Sequence, residues 1–291
     1  MRNKKNKKFT LSNCLLFGLF ILGFCLLTYP IFANWWNTSH AIAVIDGYDQ
    51  AAGKKTQEQI SSEFEKANKY NKELWDLFFP LNEYREVPGY EDILNVDGSG
   101  LIGYVTIDKI SVKLPIYHGT DSNTLSSAVG HLEGTSLPTG EIDTHVVLSA
   151  HRGLPSAKLF TDIDRLREGD LFTVTVLNKV FTYEVDQIRI VKPNEVNELY
   201  LEEGKSYCTL LTCTPYGINT ERLLVRGHIT KAKPGVLTNE AIEMDSLILS
   251  PILFVLLIVL LLWVLAYFDK KRKTRIANAS NPTQNKTDFL G

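Results

Sequence analysis

Residues 208–217 read CTLLTCTPYG, a stretch that contains two of the four cysteines of the chain. Its threonine and leucine residues, followed by a Pro-Tyr-Gly turn signal, predict a buried β-strand. A strand rises about 3.3 Å per residue, so Cys208 and Cys213 would lie about 16 Å apart, and their odd spacing points them to opposite faces. A disulfide needs Cα atoms roughly 4.4–6.8 Å apart, so we expect both thiols to be free.

The residues around this stretch, from about position 100 onwards, have the texture of a β domain. Short runs rich in Val, Ile, Thr and Tyr alternate with turn residues, which indicates many short strands and hence a closed barrel or a sandwich. VLNKVF predicts a hairpin, whereas LSSAVGH (125–131) and AKLFTDIDRLREGD (157–170) are the two segments here that predict helices.

The segment before the β domain predicts a different structure. Between residues 47 and 78 the sequence is polar and favours helix, and Ile60, Phe64, Ala67 and Leu74 are spaced as one apolar stripe. Two prolines and several glycines then predict a loop up to Gly100.

Both ends of the chain carry an apolar run of about twenty residues, which is the length that a helix needs to cross a bilayer. Each run has its Lys/Arg cluster on the outer flank only, which predicts two cytoplasmic termini and an extracellular middle. A cleaved signal peptide is the alternative for the first run, and a processed sorting tail is the alternative for the second.

A free thiol on the extracellular side needs a reason to be there, because it is exposed to oxidation. Burial in the core is the interpretation for Cys208. Cys213 ends its strand beside a turn, so it is either a core residue or a nucleophile in a surface cleft. A nucleophile would need a base and a donor for the oxyanion; His151 and Arg222 are candidates, and Arg226 shares the face of Arg222.

At this point the residues resemble a known family. LLTCTPYGINTERLLVRG resembles the signature of the sortases, and LSAHRGLPSAKLF resembles their histidine segment. The likeness runs from about Gly100 to His228 and is nearest to class C, the pilin-polymerising sortases of Gram-positive bacteria. Two membrane spans are also typical of that class.

The resemblance implies an eight-stranded β-barrel with Cys213 as the nucleophile, His151 as the general acid and base, and Arg222 as the group that positions substrate and stabilises the oxyanion. It implies a transpeptidase that cleaves LPxTG-like sorting signals between Thr and Gly. A lysine of the next pilin subunit would be the acyl acceptor, and the isopeptide bonds so formed would build pili. No cofactor is implied.

Class C enzymes usually carry a lid with an Asp-Pro-aromatic motif over the cysteine. Here the corresponding region is ELWDLFFPLNEYREV, which has an acid, aromatics and a proline in another order. Asp76 could pair with Arg222, and Trp75, Phe78 or Phe79 could cover Cys213; the alternative is that these aromatics pack a helix against the barrel.

The predicted fold is mostly β: a closed eight-stranded sortase-type β-barrel with short helices, preceded by a helical and lid-like segment and flanked by two transmembrane helices. The expected divisions, in chain order, are a cytoplasmic basic tail (1–10), a transmembrane anchor (11–33), an extracellular helical and lid-like segment (34–99), the catalytic barrel (100–232), a juxtamembrane linker (233–245), a second transmembrane helix (246–268) and a cytoplasmic basic and polar tail (269–291).

Several other functions fit the sequence less well. A formal net charge of -2 without a central basic stripe argues against a nucleic-acid partner. The histidines lack the paired spacing of a metal site. A housekeeping sortase that anchors proteins to cell-wall precursor, a cysteine protease with water as acceptor, and a non-catalytic β module remain as alternatives to pilin polymerisation.

Overall fold

The structure is a computed structural model that describes residues 11–77 and 80–232. The described residues fall into two compact units, residues 11–28 and residues 29–232. The predicted tails, the linker and the second transmembrane helix therefore lie outside the described residues.

The first helix, α1 (Leu11–Gly53), continues well beyond the predicted membrane span. Within the described residues, it is the one helix long and apolar enough to cross a bilayer. The part from Asn34 onwards turns a narrow stripe, which includes Ala41, Ile45, Tyr48 and Ala52, towards the rest of its unit. Tyr48 joins it to the barrel, because its hydroxyl donates to the carbonyl of Ile102 (2.6 Å) and accepts from the amide of Leu177 (2.9 Å).

The second helix, α2 (Gln57–Trp75), follows the predicted stripe. It begins at a capping box in which the Thr56 hydroxyl accepts from the Gln59 amide and the Gln59 side chain accepts from the Thr56 amide. Its buried residues include all four predicted ones and also Tyr70 and Asn71. The Asn71 side chain holds Leu137 of the barrel by both backbone groups, accepting from its amide (2.8 Å) and donating to its carbonyl (3.0 Å).

The predicted closed eight-stranded barrel is confirmed. Its strands follow the order β1-β2-β3-β4-β7-β8-β6-β5, and β5 closes on β1. The pairs β2–β3 and β4–β7 are parallel and the other pairs are antiparallel. The strands are β1 (Leu101–Ile107), β2 (Val112–His118), β3 (Val129–His131), β4 (Thr144–Ser149), β5 (Leu171–Val176), β6 (Lys179–Val191), β7 (Ser206–Thr214) and β8 (Glu221–Thr230).

The remaining helices are short. They are α3 (Pro80–Glu83), α4 (Ser122–Leu125) and the 3₁₀ turns Tyr84–Glu86, Asp108–Ile110, Ile163–Arg165 and Asn197–Leu199. The helix predicted for residues 125–131 is wrong, since this segment ends in β3, which pairs with both β2 and β4. The helix predicted for residues 157–170 is also wrong apart from one 3₁₀ turn. This segment consists mainly of turns, and its apolar side chains pack into the barrel core.

Alternation along the strands separates two faces. Side chains such as Val146, Leu148, Cys208 and Leu210 lie in the main core, together with Phe172, Tyr183 and the buried stripe of α2. The intervening positions of β4, β7 and β8 face outwards, where Val147 and Leu224 form a second, smaller cluster. One continuous core therefore joins the helices to the barrel. The outer face of β4, β7 and β8 does not belong to that core.

Candidate active site

The strand register brings Cys213 and Arg222 together. Cys213 in β7 lies directly opposite Arg222 in antiparallel β8, and directly opposed residues of paired strands project from the same face. Four residues further along β8, Arg226 pairs instead with Thr209. The register thus separates two arginines that strand parity alone leaves equivalent.

His151 reaches the same row from the other side. Parallel pairing of β4 with β7 sets Ser149 beside Leu211, and two hydrogen bonds extend this register beyond the end of β4. The Ala150 amide donates to the Leu211 carbonyl (3.1 Å), and the Thr212 hydroxyl donates to the Ala150 carbonyl (2.7 Å). His151 follows Ala150, and Cys213 follows Thr212 on the neighbouring strand. Cys213 therefore lies in a row between His151 and Arg222. All three residues are half-buried.

The two cysteines of β7 face opposite sides, as predicted. Cys208 is fully buried in the main core and Cys213 is partly exposed on the outer face, and neither forms a disulfide within the described residues. Burial raises the pKa of the Cys208 thiol well above its ordinary value, since a thiolate there would lose its hydration. Cys208 is therefore a core residue, as its interpretation required.

Arg222 keeps most of its hydrogen-bonding capacity. Its Nη1 donates to the backbone carbonyls of Asn219 (3.3 Å) and Glu221 (3.0 Å), which fixes the side chain on the β7–β8 turn. No carboxylate forms an ion pair with it within residues 11–77 and 80–232. The other guanidinium donors are therefore available to an anion that forms beside Cys213.

A second arginine at this end of the barrel has no counterpart among the predicted site residues. Arg152 follows His151, its side chain is only 9% exposed, and it pairs with Asp164. Its Nη1 donates to the Thr214 hydroxyl (3.1 Å), next to Cys213, and its buried Nε has no partner among the described residues. The arginine thus joins the His151 segment to the cysteine strand. Arg152 belongs to the His-Arg-Gly sequence, but its partners Asp164 and Thr214 lie 12 and 62 residues away.

An apolar surface leads away from the row along the outer face. We name Val147, Leu199, Leu211 and Leu224 the apolar strip; all four belong to the smaller cluster. Leu211 and Leu224 are directly paired, two residues along β7 and β8 from the Cys213–Arg222 pair. Leu199 lies in the 3₁₀ turn before β7. The strip ends at Arg226, which pairs with Asp186 and Glu202.

The short helix α3 covers this strip. Leu81 packs against the smaller cluster, and its backbone approaches Gly134 so closely that a Cβ there would lie 2.6 Å from the Leu81 Cα. Gly134 also has a φ of +81°, a conformation that glycine adopts at little cost. Only glycine at position 134 allows the segment after α2 to lie this close to the barrel.

The four predicted lid residues have different positions. Trp75 ends α2 and is 37% exposed, and Asp76 follows it as the exposed C-cap residue. Within the described residues Asp76 forms no ion pair with Arg222, and Phe78 and Phe79 lie outside them. The residue that the structure does bring to the apolar strip is Leu81. Nothing in the sequence indicated this, apart from the position of Leu81 close to the predicted lid aromatics.

No metal-binding cluster accompanies the site: the described parts of the chain contain no group of three or more His, Cys, Asp or Glu side chains that could hold an ion. The chemistry open to the row is that of a thiol beside an imidazole and a guanidinium, which is nucleophilic acyl transfer.

Comparison with known proteins identifies a sortase domain over residues 105–230. The chain is similar to the crystal structure of sortase C1 from Streptococcus agalactiae, with 44% identity and a TM-score of 0.60 over 66% of this chain and 100% of that one. The structure of Streptococcus pneumoniae sortase C, which gives insights into catalysis and pilin substrate specificity, is 40% identical with a TM-score of 0.59 over 65% of this chain and 97% of that one.

Among curated sequences, sortase D of Bacillus subtilis is 32% identical over 114 residues, which is 39% of this chain and 54% of that protein. The chain thus matches about half the length of this curated relative. Three solved structures of similar fold, which match it at 40–44% identity over nearly their whole length, are class C sortases.

Proposed function

The chain belongs to the sortase family of cysteine transpeptidases, and from that premise we propose that it cleaves LPxTG-like sorting signals and joins pilin subunits through lysine isopeptide bonds. The observation that carries this proposal is the strand register that sets Cys213 between His151 and Arg222. The pilin substrate is supported by the likeness to class C sortases, one of which is described in terms of pilin substrate specificity.

In the first half of the proposed reaction, the Cys213 sulfur attacks the carbonyl carbon of the Thr-Gly bond as a thiolate. The carbonyl oxygen takes the negative charge, and the unpaired donors of the Arg222 guanidinium stabilise it. The C–N bond then breaks, protonated His151 gives its proton to the departing glycine amine, and a thioacyl enzyme remains.

In the second half, the neutral side-chain amine of a pilin lysine attacks the thioester carbon. His151 takes the proton from the attacking nitrogen, the C–S bond breaks, and Cys213 leaves as a thiolate. The products are an isopeptide bond and the starting enzyme. The thioester retains the acyl group in a reactive form, so the exchange requires no nucleotide.

The apolar strip suits the apolar part of such a signal. It leads directly to Cys213, and a leucine and a proline upstream of the scissile bond would be buried there. Since Leu81 occupies this surface, we propose that α3 moves away when a sorting signal binds, as a lid would.

The proposed location is a two-pass membrane protein with an extracellular catalytic domain and both termini in the cytoplasm. The apolar α1 supports the first span, and the apolar run at 246–268 with its following Lys/Arg cluster supports the second. Protease digestion of intact protoplasts should remove an epitope inserted in the barrel and spare epitopes at both ends.

The decisive experiment is substitution of the nucleophile in cells that assemble pili. Cys213→Ala should abolish covalent pilin ladders, whereas Cys208→Ala, a change of the other free cysteine of β7, should preserve them. Ladders in the Cys213→Ala strain would overturn the assignment.

A second experiment separates the polymerase from its rivals. The purified chain is mixed with a sorting peptide and pilin, and the crosslinked lysine is mapped by mass spectrometry. A cysteine protease would release the peptide acid at a rate that pilin does not change. A housekeeping sortase would transfer the peptide to a cell-wall precursor analogue in preference to pilin lysine.

A further inference from the structure

The described part of α1 has two contrasting sides just beyond the predicted membrane span. Asn34 and Asn37, three residues apart and hence on one side, bond to the catalytic unit: Asn34 Oδ1 accepts from the Lys158 amide (2.9 Å), and Asn37 Nδ2 donates to the Ser156 carbonyl (2.7 Å). The partners lie five and seven residues after His151, in the same loop.

The other side of this part of α1 exposes large aromatic residues. Trp35 and Trp36 are 60% and 51% exposed, and Phe32 contacts both of their rings. Nothing in the described residues covers them. Phe32 lies at the end of the predicted anchor (11–33) and the two tryptophans follow it. Trp and Tyr are the residues that concentrate at the boundary between lipid and water. Contiguous apolar surfaces of this kind are seldom exposed to water and mark contacts with a membrane or a partner.

Further along, α1 contacts the barrel at a second point, Tyr48. Tyr48 lies 14 residues beyond Asn34, which is about 21 Å along a helix. Tyr48 bonds to the amide of Leu177, in the β5–β6 hairpin. The loop after His151 and the β5–β6 hairpin therefore contact α1 at opposite ends of this stretch, the loop at the end that carries the tryptophans.

We propose that the surface formed by Phe32, Trp35 and Trp36 lies in the headgroup region of the membrane, and that Asn34 and Asn37 thereby hold the loop after His151 against the bilayer surface. The β5–β6 hairpin then points away from the membrane. The active site then opens close to the lipid surface.

This inference rests on the proposed membrane anchoring and not on the proposed reaction, so its tests measure position and not activity. The chain has four tryptophans, and Trp75→Phe with Trp263→Phe leaves Trp35 and Trp36 as the fluorophores. The full chain is reconstituted in vesicles of phosphatidylcholine and phosphatidylglycerol that carry bromine at acyl carbons 6,7 or 11,12.

Quenching should be stronger with bromine at carbons 6,7, which lie nearer the headgroups. Stronger quenching at carbons 11,12 would place the tryptophans in the hydrocarbon centre, and no quenching by either lipid would mean that water, a protein partner or a second copy covers them. Either result overturns the proposal.

A second measurement tests the orientation of the barrel. A fluorescent label is attached to Pro155→Cys, in the loop after His151, or to Asn178→Cys, in the β5–β6 hairpin; both positions are exposed. Cys14, Cys25 and Cys213 are replaced by serine, and buried Cys208 stays. Lipids with a spin-labelled headgroup should quench the label at position 155 several-fold more than the label at position 178.

The asparagines supply the internal control. Asn34→Ala combined with Asn37→Ala should reduce quenching at position 155 while leaving quenching of Trp35 and Trp36 unchanged, because only the contact between helix and loop is lost. Equal quenching at positions 155 and 178 in the parent protein would overturn the orientation.

Discussion

At the scale of single residues, the proposed site depends on neighbours that hold His151 and Cys213 in place. His151 follows the end of β4, and its carbonyl accepts from the Phe160 amide (3.2 Å). Arg152 adds side-chain contacts to Asp164 and to the Thr214 hydroxyl. Its position between the histidine segment and the cysteine strand makes it a positioning residue for both.

Arg152→Ala should therefore lower turnover more than it weakens substrate binding. It removes a buried charged donor, which costs about 1–3 kcal/mol of stability, and it frees the His151 segment from β7. We expect kcat for a sorting peptide to fall roughly 10- to 100-fold with little change in KM, because a small misplacement of a catalytic group affects the transition state most.

The partner substitutions separate positioning from stability. Thr214→Val removes the acceptor of Arg152 and should lower kcat, whereas Thr214→Ser keeps the hydroxyl and should restore it. Melting temperatures of the variants show whether stability alone accounts for the loss. Equal kcat values for Thr214→Val and Thr214→Ser would contradict the positioning role.

The sequence predicted that Cys208 and Cys213 face opposite sides of β7, because strand parity is a local property. It could not predict the contacts of Arg152, since Asp164 and Thr214 lie 12 and 62 residues away and no local pattern reports that they meet it. Separation of Arg222 from Arg226 likewise needs the β7–β8 register, which the turn between the strands decides.

At the scale of elements, the prediction failed where an element is short. The three-residue β3 lies in a segment of small residues, and the pairing with β2 and β4, which no local pattern reports, determines its structure. The long stripe of α2 was predicted correctly, since burial along 19 residues leaves a clear period. The position of α3 depends on Gly134, far away in the sequence.

Gly134→Ala should loosen α3 specifically. The added Cβ would meet the backbone of Leu81, and the positive φ adds strain of about 1 kcal/mol. We expect faster hydrogen exchange in residues 80–86, measured by mass spectrometry. Gly169→Ala is the matched control, because Gly169 has a φ of +90° and no atom within 4 Å of the added Cβ. Similar exchange of residues 80–86 in both variants would contradict the role of the Gly134 contact.

At the scale of the whole molecule, two buried histidines couple stability to pH. The Nε2–H of His131 donates to the Ser136 carbonyl (2.8 Å) while its Nδ1 accepts from the Tyr90 hydroxyl (2.9 Å). In His145, Nδ1–H donates to the Tyr200 carbonyl (2.9 Å) and Nε2 accepts from the Thr209 hydroxyl (2.7 Å). Both patterns suit neutral rings, and burial lowers the pKa of each histidine to about 4.

Stability should consequently fall as the pH is lowered from about 6.5, the ordinary pKa of histidine, towards about 4. In this window the unfolded chain binds protons that the folded chain does not, so the free energy of unfolding decreases, by up to about 1.4 kcal/mol per pH unit for each histidine. Urea unfolding of the unit that contains the barrel (residues 29–232) between pH 7.5 and 4.5 measures this slope.

Substitution identifies the groups that produce the slope. His145→Gln should make the free energy of unfolding less dependent on pH in this window, although it lowers stability at pH 7.5. His228→Gln is the control, because His228 is an exposed histidine of the same barrel. An unchanged slope in His145→Gln would assign the pH dependence to other groups.

Closure of the barrel limits how a peptide can be recognised. Each of the eight strands has a hydrogen-bonded neighbour on both sides, so an extended ligand could add a further strand only where a strand runs beyond its partner, as β6 does at residues 187–191 on its β5 side. Main-chain pairing, which tolerates almost any side chain, is therefore confined to such short segments. We expect selectivity to come from the fit of individual side chains on the outer surface, so a ligand with altered side chains should be rejected even when its backbone is unchanged.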